Sequence, residues 1–205
     1  MTRDARIKAG LTAAVAATVL AAAGGLLASR ARGSLKPVTG PVAFSAPTVS
    51  SADLKGRPYV ADFVFTRCGG PCPLLSANMA RLQKRLPAAV RLVSFTVDPE
   101  NDTDAVLAAY AARHGAEPGR WLFARLAPRE LYELVNAGFH LPVYIDPKAA
   151  PANRSIHTTK LVLVDGAGRV RGYYDGLAEG SLDELVRDAL RLLKEGAPSS
   201  EKENV

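Results

Sequence analysis

The chain has 205 residues, 48% of them hydrophobic, with two cysteines and a formal net charge of +6. That length holds one ordinary domain with a substantial core and an extra segment at one end. Residues 1–40 carry six Lys/Arg against one Asp, and the remainder 20 basic against 19 acidic residues. The basic balance therefore belongs to the N-terminal flank and excludes a nucleic-acid-binding face.

Ala9 to Ala28 contains no charged residue and is nearly all Ala, Val, Leu and Gly. Twenty helical residues span ~30 Å, the thickness of a bilayer's hydrocarbon core. The segment reads as an uncleaved transmembrane helix within residues 1–29. Its alternative is a cleaved signal, whose apolar core is usually shorter. No cysteine immediately follows it, which excludes a lipoprotein anchor of that kind. Arg3, Arg6 and Lys8 precede it, favouring a cytoplasmic N-terminus and an exported remainder.

Residues 30–56 hold Pro, Gly and Ser with little periodicity and read as a tether and entry to a domain over 57–196. Tyr59–Thr66 is expected as a strand, Pro73–Leu86 as a helix with Leu74, Leu75, Met79, Leu82 and Leu86 at helical spacing, and Val90–Val97 as a second strand. Asp98-Pro99-Glu100-Asn101-Asp102-Thr103 is a turn with candidate helix caps. It leads into a helix over Ala105–Arg113 that Gly115 ends. Trp121–Ala124 is a short strand, and Pro128 introduces a helix over Arg129–Ala137. His157–Asp165 and Val170–Tyr174 flank Gly166-Ala167-Gly168-Arg169 as a β-hairpin. A last helix starts at Ser181, where Glu184 completes a capping-box pattern, and runs to about Lys194. Residues 197–205 are a polar tail. This order of elements predicts an α/β thioredoxin-like sandwich, a central mixed sheet flanked by helices.

Both cysteines lie in Cys68-Gly69-Gly70-Pro71-Cys72-Pro73, between the first strand and the first helix. The residue before a proline is pushed out of helical geometry, and proline suits a first helical turn, so Cys72 belongs at the helix start. The dipole and free N–H groups there favour thiolate over thiol. Gly69 and Gly70 let the loop fold back so that both sulfurs face one point. Three uses fit such a pair. Two soft sulfur ligands suit a soft metal such as Cu(I). Thiol-disulfide exchange is the second, although such enzymes usually separate their cysteines by two residues. A plain structural disulfide is the third, and it would close a loop too small to stabilise much.

Three histidines are available as further ligands. His114 sits at a helix end, where an imidazole commonly caps. His140 lies in a loop and reads as packing or surface. His157 opens the β-branched run Thr158-Thr159-Lys160-Leu161-Val162 and stands apart from the other two.

Phe63-Val64-Phe65-Thr66-Arg67-Cys68-Gly69-Gly70-Pro71-Cys72-Pro73 resembles the signature of the Sco/SenC family of copper proteins. Val97-Asp98-Pro99-Glu100-Asn101-Asp102-Thr103 is similar to that family's second block. His157-Thr158-Thr159-Lys160-Leu161 through Arg171-Gly172-Tyr173-Tyr174-Asp175-Gly176 is similar to its third. The blocks stand in family order, and the similarity covers about residues 45–195.

The resemblance implies a membrane-tethered thioredoxin-like domain that binds one copper, Cu(I) or Cu(II), through Cys68, Cys72 and His157. It also implies a role in assembling the CuA centre of cytochrome c oxidase, with the oxidase's copper-bearing subunit or another copper chaperone as partner. The expected location is a bacterial inner membrane, with the domain on its periplasmic side. The competing expectations are a thiol-disulfide reductase, in which Cys68 and Cys72 are the catalytic pair, and a copper or redox sensor. Asp98 and its turn are expected to shape the strand-helix junction. Arg171, Tyr173, Tyr174 and Asp175 are candidates for a partner-facing surface, with strand packing the alternative for the tyrosines. Family members often carry an acidic residue where this chain has Gly69-Gly70-Pro71.

Overall fold

A computed structural model describes residues 35–142 and 158–196 of the chain. Its centre is β1, Tyr59–Val64, a strand whose six residues are all buried. A strand covered on both faces needs apolar residues at every position, and Tyr-Val-Ala-Asp-Phe-Val meets that need everywhere but Asp62. On one edge β1 pairs in parallel with β2, Arg91–Thr96, and β2 with β3, Trp121–Ala124. On its other edge β1 pairs antiparallel with β4, Lys160–Val164, which pairs antiparallel with β5, Val170–Asp175. The resulting order is β3-β2-β1-β4-β5, the mixed sheet of a thioredoxin-like fold.

One face of the sheet is covered by α1 (Cys72–Arg85), α2 (Asp104–Arg113) and α4 (Glu179–Gly196). Val60, Val64, Leu92, Leu161 and Leu163 from the strands meet Leu75, Met79 and Leu82 of α1, Leu107 and Tyr110 of α2, and Leu182 and Leu185 of α4. The alternate strand residues Ala61, Phe63, Val93, Phe95 and Val162 face the other way, against the segment before β1 and a short α3, Pro128–Glu133. Phe95 is the hub of that layer, with ring centroids of Phe44, Phe63 and Phe139 at 4.9, 5.7 and 5.7 Å.

Three elements differ in detail from the sequence expectation. Residues 35–56 are packed against the domain: Val42, Val49 and Leu54 are buried in its core, and Val42 N–H donates to Gly168 O at 2.8 Å. The helix expected over 129–137 is α for its first part and a π-turn over Leu134–Gly138, closed by Phe139 N–H to Leu134 O at 2.8 Å. That wider turn places Phe139 in the aromatic layer. The last helix starts two residues early, at Glu179. Ser181 does not cap it: its Oγ accepts from Asp175 N–H at 2.7 Å and so ties off the end of β5. The hairpin turn matches expectation. Gly168 takes a φ of +81°, and Asp165 accepts from the N–H groups of Ala167 and Arg169.

Arg171 is a correction. It is buried, not partner-facing, and its guanidinium binds Asp165 at 2.8 Å, Glu195 at 2.9 Å and the Leu35 carbonyl at 2.6 Å. Tyr174 is buried with its hydroxyl on Asp188 at 2.9 Å, and half-buried Tyr173 donates to Phe139 O at 2.6 Å. Strand packing accounts for both tyrosines. Among the described residues no helix is long and apolar enough to cross a membrane, and the segment 9–28 lies outside them.

Removing one partner of a buried ion pair leaves the other unpaired, at a cost of about 3–5 kcal/mol. Arg171→Ala strands Asp165 only in part, because Arg169 also reaches it at 3.0 Å. We expect a loss of about 3 kcal/mol in chemical denaturation, the low end of that range.

Candidate metal and thiol site

Parallel pairing brings the C-terminal ends of β1, β2 and β3 to one edge of the sheet, and the antiparallel β4 begins at that same edge. Edges of this kind are where α/β folds place ligands. The loop from Thr66 to Pro71 emerges there. Asp102 holds it: this fully buried carboxylate accepts from Thr66 N–H at 3.1 Å, Thr66 Oγ at 2.5 Å and Thr96 Oγ at 2.5 Å. One side chain thus ties the end of β1 to the end of β2. Asp98, as expected, shapes the junction: it accepts from Arg67 at 2.8 Å and Asn101 at 2.7 Å. The charge of Arg67, the residue before Cys68, is thereby paired with Asp98.

Cys72 is the first residue of α1, with Pro71 as its cap, as the proline pattern predicts. Cys68 sits half-exposed in the loop, Cys72 is buried, and both are free thiols. Cys68 Sγ accepts from Gly70 N–H at 3.4 Å, and Cys68 N–H donates to Phe65 O at 3.2 Å, which turns the loop back on itself. Neither Gly69 nor Gly70 uses a left-handed backbone, and a Cβ on Gly69 would meet nothing within 4 Å. The fold-back therefore does not require glycine at these positions.

The expected thiolate at Cys72 is overturned. Burial pushes this thiol up to about 12, and hydrogen bonding to Cys68 adds to the rise, against an opposing hydrogen bond from the Phe65 backbone. The helix dipole acts on a sulfur facing the core, where desolvation outweighs it. A neutral, buried Cys72 beside a more accessible Cys68 makes an asymmetric pair.

The approach to β4 reaches the same edge. Thr159 O accepts from Gly176 N–H at 2.8 Å, and Asn78 of α1 donates to Gly176 O at 2.8 Å. A Cβ at Gly176 would lie 2.4 Å from Leu75 and 2.7 Å from Thr159 O, so α1 and the start of β4 crowd one point. His157 lies outside the described residues, two positions before Thr159. His114 caps α2 and packs against Tyr110, ring centroids 4.4 Å apart and tilted by 47°, and His140 is exposed with a φ of +50°. Neither histidine is drawn into the thiol site.

One feature at the site was not singled out by sequence patterning. Asp62 projects from β1 to the same face as Val60, Val64 and Cys72, is wholly buried, and has no hydrogen bond to either carboxylate oxygen. Burial raises its carboxyl to about 7. Ser94, opposite it in register, tempers that rise without forming a well-made bond, and the Ser94 hydroxyl accepts from Trp121 Nε1 at 2.8 Å. An acidic residue inside a fully apolar strand was the available signal.

Comparison with known proteins gives one consistent result. The SCO1/SenC family model matches residues 43–194. A SCO1 protein homolog of Bacillus subtilis (strain 168) is 35% identical over 144 residues, which are 68% of this chain and 73% of that protein. BsSco, described as a member of the Sco family of cytochrome c oxidase assembly proteins with a disulfide switch, is 31% identical with a TM-score of 0.67, over 78% of this chain and 96% of its own. The copper-bound ScoI of Bradyrhizobium japonicum is 21% identical with a TM-score of 0.58, over 76% of this chain and 99% of its own, a likeness of fold.

Two outcomes are expected of the buried carboxylates. Asp102→Ala orphans three donors and costs about 3–5 kcal/mol in denaturation, by the scale for breaking buried charged networks. Asp62 behaves oppositely. Its folded-state carboxyl is raised, so between about pH 4 and pH 7 the folded chain holds a proton that the unfolded chain has lost. Stability therefore falls as pH rises through that window. Asp62→Asn removes the dependence, so the variant gains on wild type from pH 5 to pH 7, by ~1.4 kcal/mol for each pH unit, and levels off above that window.

Proposed function

The chain belongs to the SCO1/SenC family, and on that footing we propose that it is a membrane-anchored copper chaperone assisting assembly of the CuA centre of cytochrome c oxidase. The observation that carries this reading is the convergence of the two-thiol loop and the approach to β4 on one edge of the sheet, around Leu75, Thr159 and Gly176. Cys68 and Cys72 supply two soft sulfurs from one loop, and His157, two positions before Thr159 in sequence, supplies an imidazole. Two thiolates and one imidazole suit copper in either of its common oxidation states. Copper is the cargo. It is held shallowly because Cys68 is half-exposed, and it passes by ligand exchange to the copper-bearing subunit of the oxidase or to another copper chaperone. Residues 9–28 form the anchor, and the domain works on the periplasmic side of a bacterial inner membrane.

The chain's own residues prepare the site. Asp102 and the Arg67–Asp98 pair hold the loop at the strand ends before metal arrives. Asn78, through Gly176, fixes α1 to the end of β5 and to the strand that follows His157. A second reading, thiol-disulfide reductase toward the oxidase's copper-site cysteines, is favoured by one observation: a buried neutral thiol beside an accessible one is the asymmetry that disulfide exchange uses.

Titration of the full-length protein with Cu(I) against a competing chelator separates the two. The chaperone reading expects one-to-one binding that weakens by at least about 100-fold in both Cys68→Ala and His157→Ala, the upper limit for loss of a mere outer partner. Binding indifferent to His157 would leave the reductase reading.

A further inference from the structure

Tyr59 opens β1, at the opposite end of that strand from the thiol loop, and packs in the layer that holds Val42 and Leu54 of the segment before it. The residue is 2% exposed, and among the described residues its hydroxyl has no hydrogen-bond partner. A phenylalanine would fill the same space without the cost of burying an unpaired hydroxyl. Asp165 does not relieve it, because both of its oxygens are taken. Its Oδ1 accepts from the N–H groups of Ala167 and Arg169, and its Oδ2 from the guanidinium groups of Arg169 and Arg171. Burial, and after it the charge of Asp165, push the phenol above its ordinary range. Tyr59 therefore keeps its proton and stands as a donor in want of an acceptor.

Tyr59 lines a cleft of about 350 Å³ between residues 41–55 and the turn from β4 to β5. Two backbone bonds join the sides of that seam, Val42 N–H to Gly168 O and Gly56 N–H to Gly166 O, each at 2.8 Å. The second junction is as tight as backbones allow: a Cβ at Gly166 would lie 2.8 Å from the Gly56 carbonyl carbon. Pro41, Val42 and Leu54 give the cleft apolar walls, and Asp165 lines it with Tyr59. Lys55 also lines it, is exposed, and makes no ion pair among the described residues. Small-molecule sites run from ~300 to 1,000 Å³, with mostly apolar walls and a few placed polar groups. This cleft has that size and that make-up.

We propose that this cleft binds a small uncharged molecule with an apolar body and a carbonyl oxygen, the oxygen accepting a hydrogen bond from the Tyr59 hydroxyl. A carbonyl supplies the acceptor that the phenol lacks and brings no proton that needs a partner of its own. Val42, Leu54 and Pro41 receive the apolar body. A carboxylate at the same point would stand near the charge of Asp165, which weighs against an acid. Lys55, on the exposed side, weighs for one, so an acid is the rival ligand. A molecule held against both sides of the seam would also fasten residues 41–55 to the domain, where the chain enters it. Neither thiol nor His157 takes part, so the site is independent of copper.

The test is a fluorine NMR titration of the full-length protein in nanodiscs, with empty nanodiscs subtracted for partition into lipid. The probes are 4-fluoroacetophenone, the hydrocarbon 1-ethyl-4-fluorobenzene, which has nearly its shape without the carbonyl, and 4-fluorobenzoate. The ketone should bind wild type saturably. In Tyr59→Phe its affinity relative to the hydrocarbon should fall about fivefold, the worth of one net hydrogen bond, with the hydrocarbon's own affinity unchanged. Lys55→Ala should leave the ketone unchanged. A second readout needs no variant: the infrared stretch of a carbon-13-labelled ketone carbonyl should move to lower frequency on binding wild type than in an apolar solvent. No saturable binding of the ketone, or an unshifted stretch, overturns the proposal. So does a ratio of ketone to hydrocarbon affinity that is the same in Tyr59→Phe, which would leave the hydroxyl to water alone. Tighter binding of the benzoate than of the ketone, lost in Lys55→Ala, overturns the uncharged class in favour of an acid.

Discussion

β1 is hydrogen-bonded on both edges, parallel to β2 and antiparallel to β4, and covered on both faces. That double pairing is the constraint from which the site follows. Parallel pairing brings the end of β1 beside the end of β2, so the loop carrying Cys68 and the turn carrying Asp98 and Asp102 meet. Antiparallel pairing brings the beginning of β4 to the same place. The contacts that stiffen the thiol loop, from Thr66 and Thr96 to Asp102, are possible only in this register, with Val64 opposite Thr96. A slip of one residue would turn Thr96 to the opposite face and leave Asp102 buried without it.

Two opposed fields act on the thiols. A helix N-terminus favours negative charge, typically by less than a kcal/mol at exposed positions. Burial opposes charge more strongly, and Cys72 lies in the layer with Leu75, Met79 and Tyr110. The sequence places Cys72 at the helix start correctly and still gives the wrong direction for its proton, because position along a helix is legible in a pattern of prolines while depth beneath a surface is not. The same distinction covers Asp62, whose neighbours in sequence are apolar but whose carboxylate has no hydrogen-bond partner in the folded chain.

Elsewhere, what the sequence made legible follows the range of the forces involved. β1, β2 and the hairpin of β4 and β5 stand out because strands buried on both faces are written as runs of Val, Leu, Phe and Tyr, and because Asp165 and Gly168 carry the turn locally. Thr103 as the cap of α2 is equally local, accepting from Val106 N–H at 3.3 Å. Ser181 misleads because its hydroxyl is claimed by the end of β5, a partner six residues back. The π-turn at Leu134–Gly138 follows from seating Phe139 among Phe63 and Phe95, and the docking of residues 35–56 from Val42, Val49 and Leu54 finding a hydrophobic face. Arg171 read as surface because arginine usually is; only the fold brings Asp165 and Glu195 to it.

The loop between the thiols is the part of the site least bound by packing. A side chain at Gly69 would meet nothing, and at Gly70 only Cys68 Sγ, at 3.9 Å. Lack of room therefore does not exclude an acidic side chain at these positions. What such a side chain would change is charge. Arg67, the residue before Cys68, is paired with Asp98, and Gly69-Gly70-Pro71 put no carboxylate between the two sulfurs. The carboxyl that bears on Cys72 lies instead beneath, at Asp62 in the sheet, where it is shielded from solvent. A surface carboxylate would be screened by salt and open to any passing cation. A buried one escapes that screening, and it bears on Cys72 and on Tyr110.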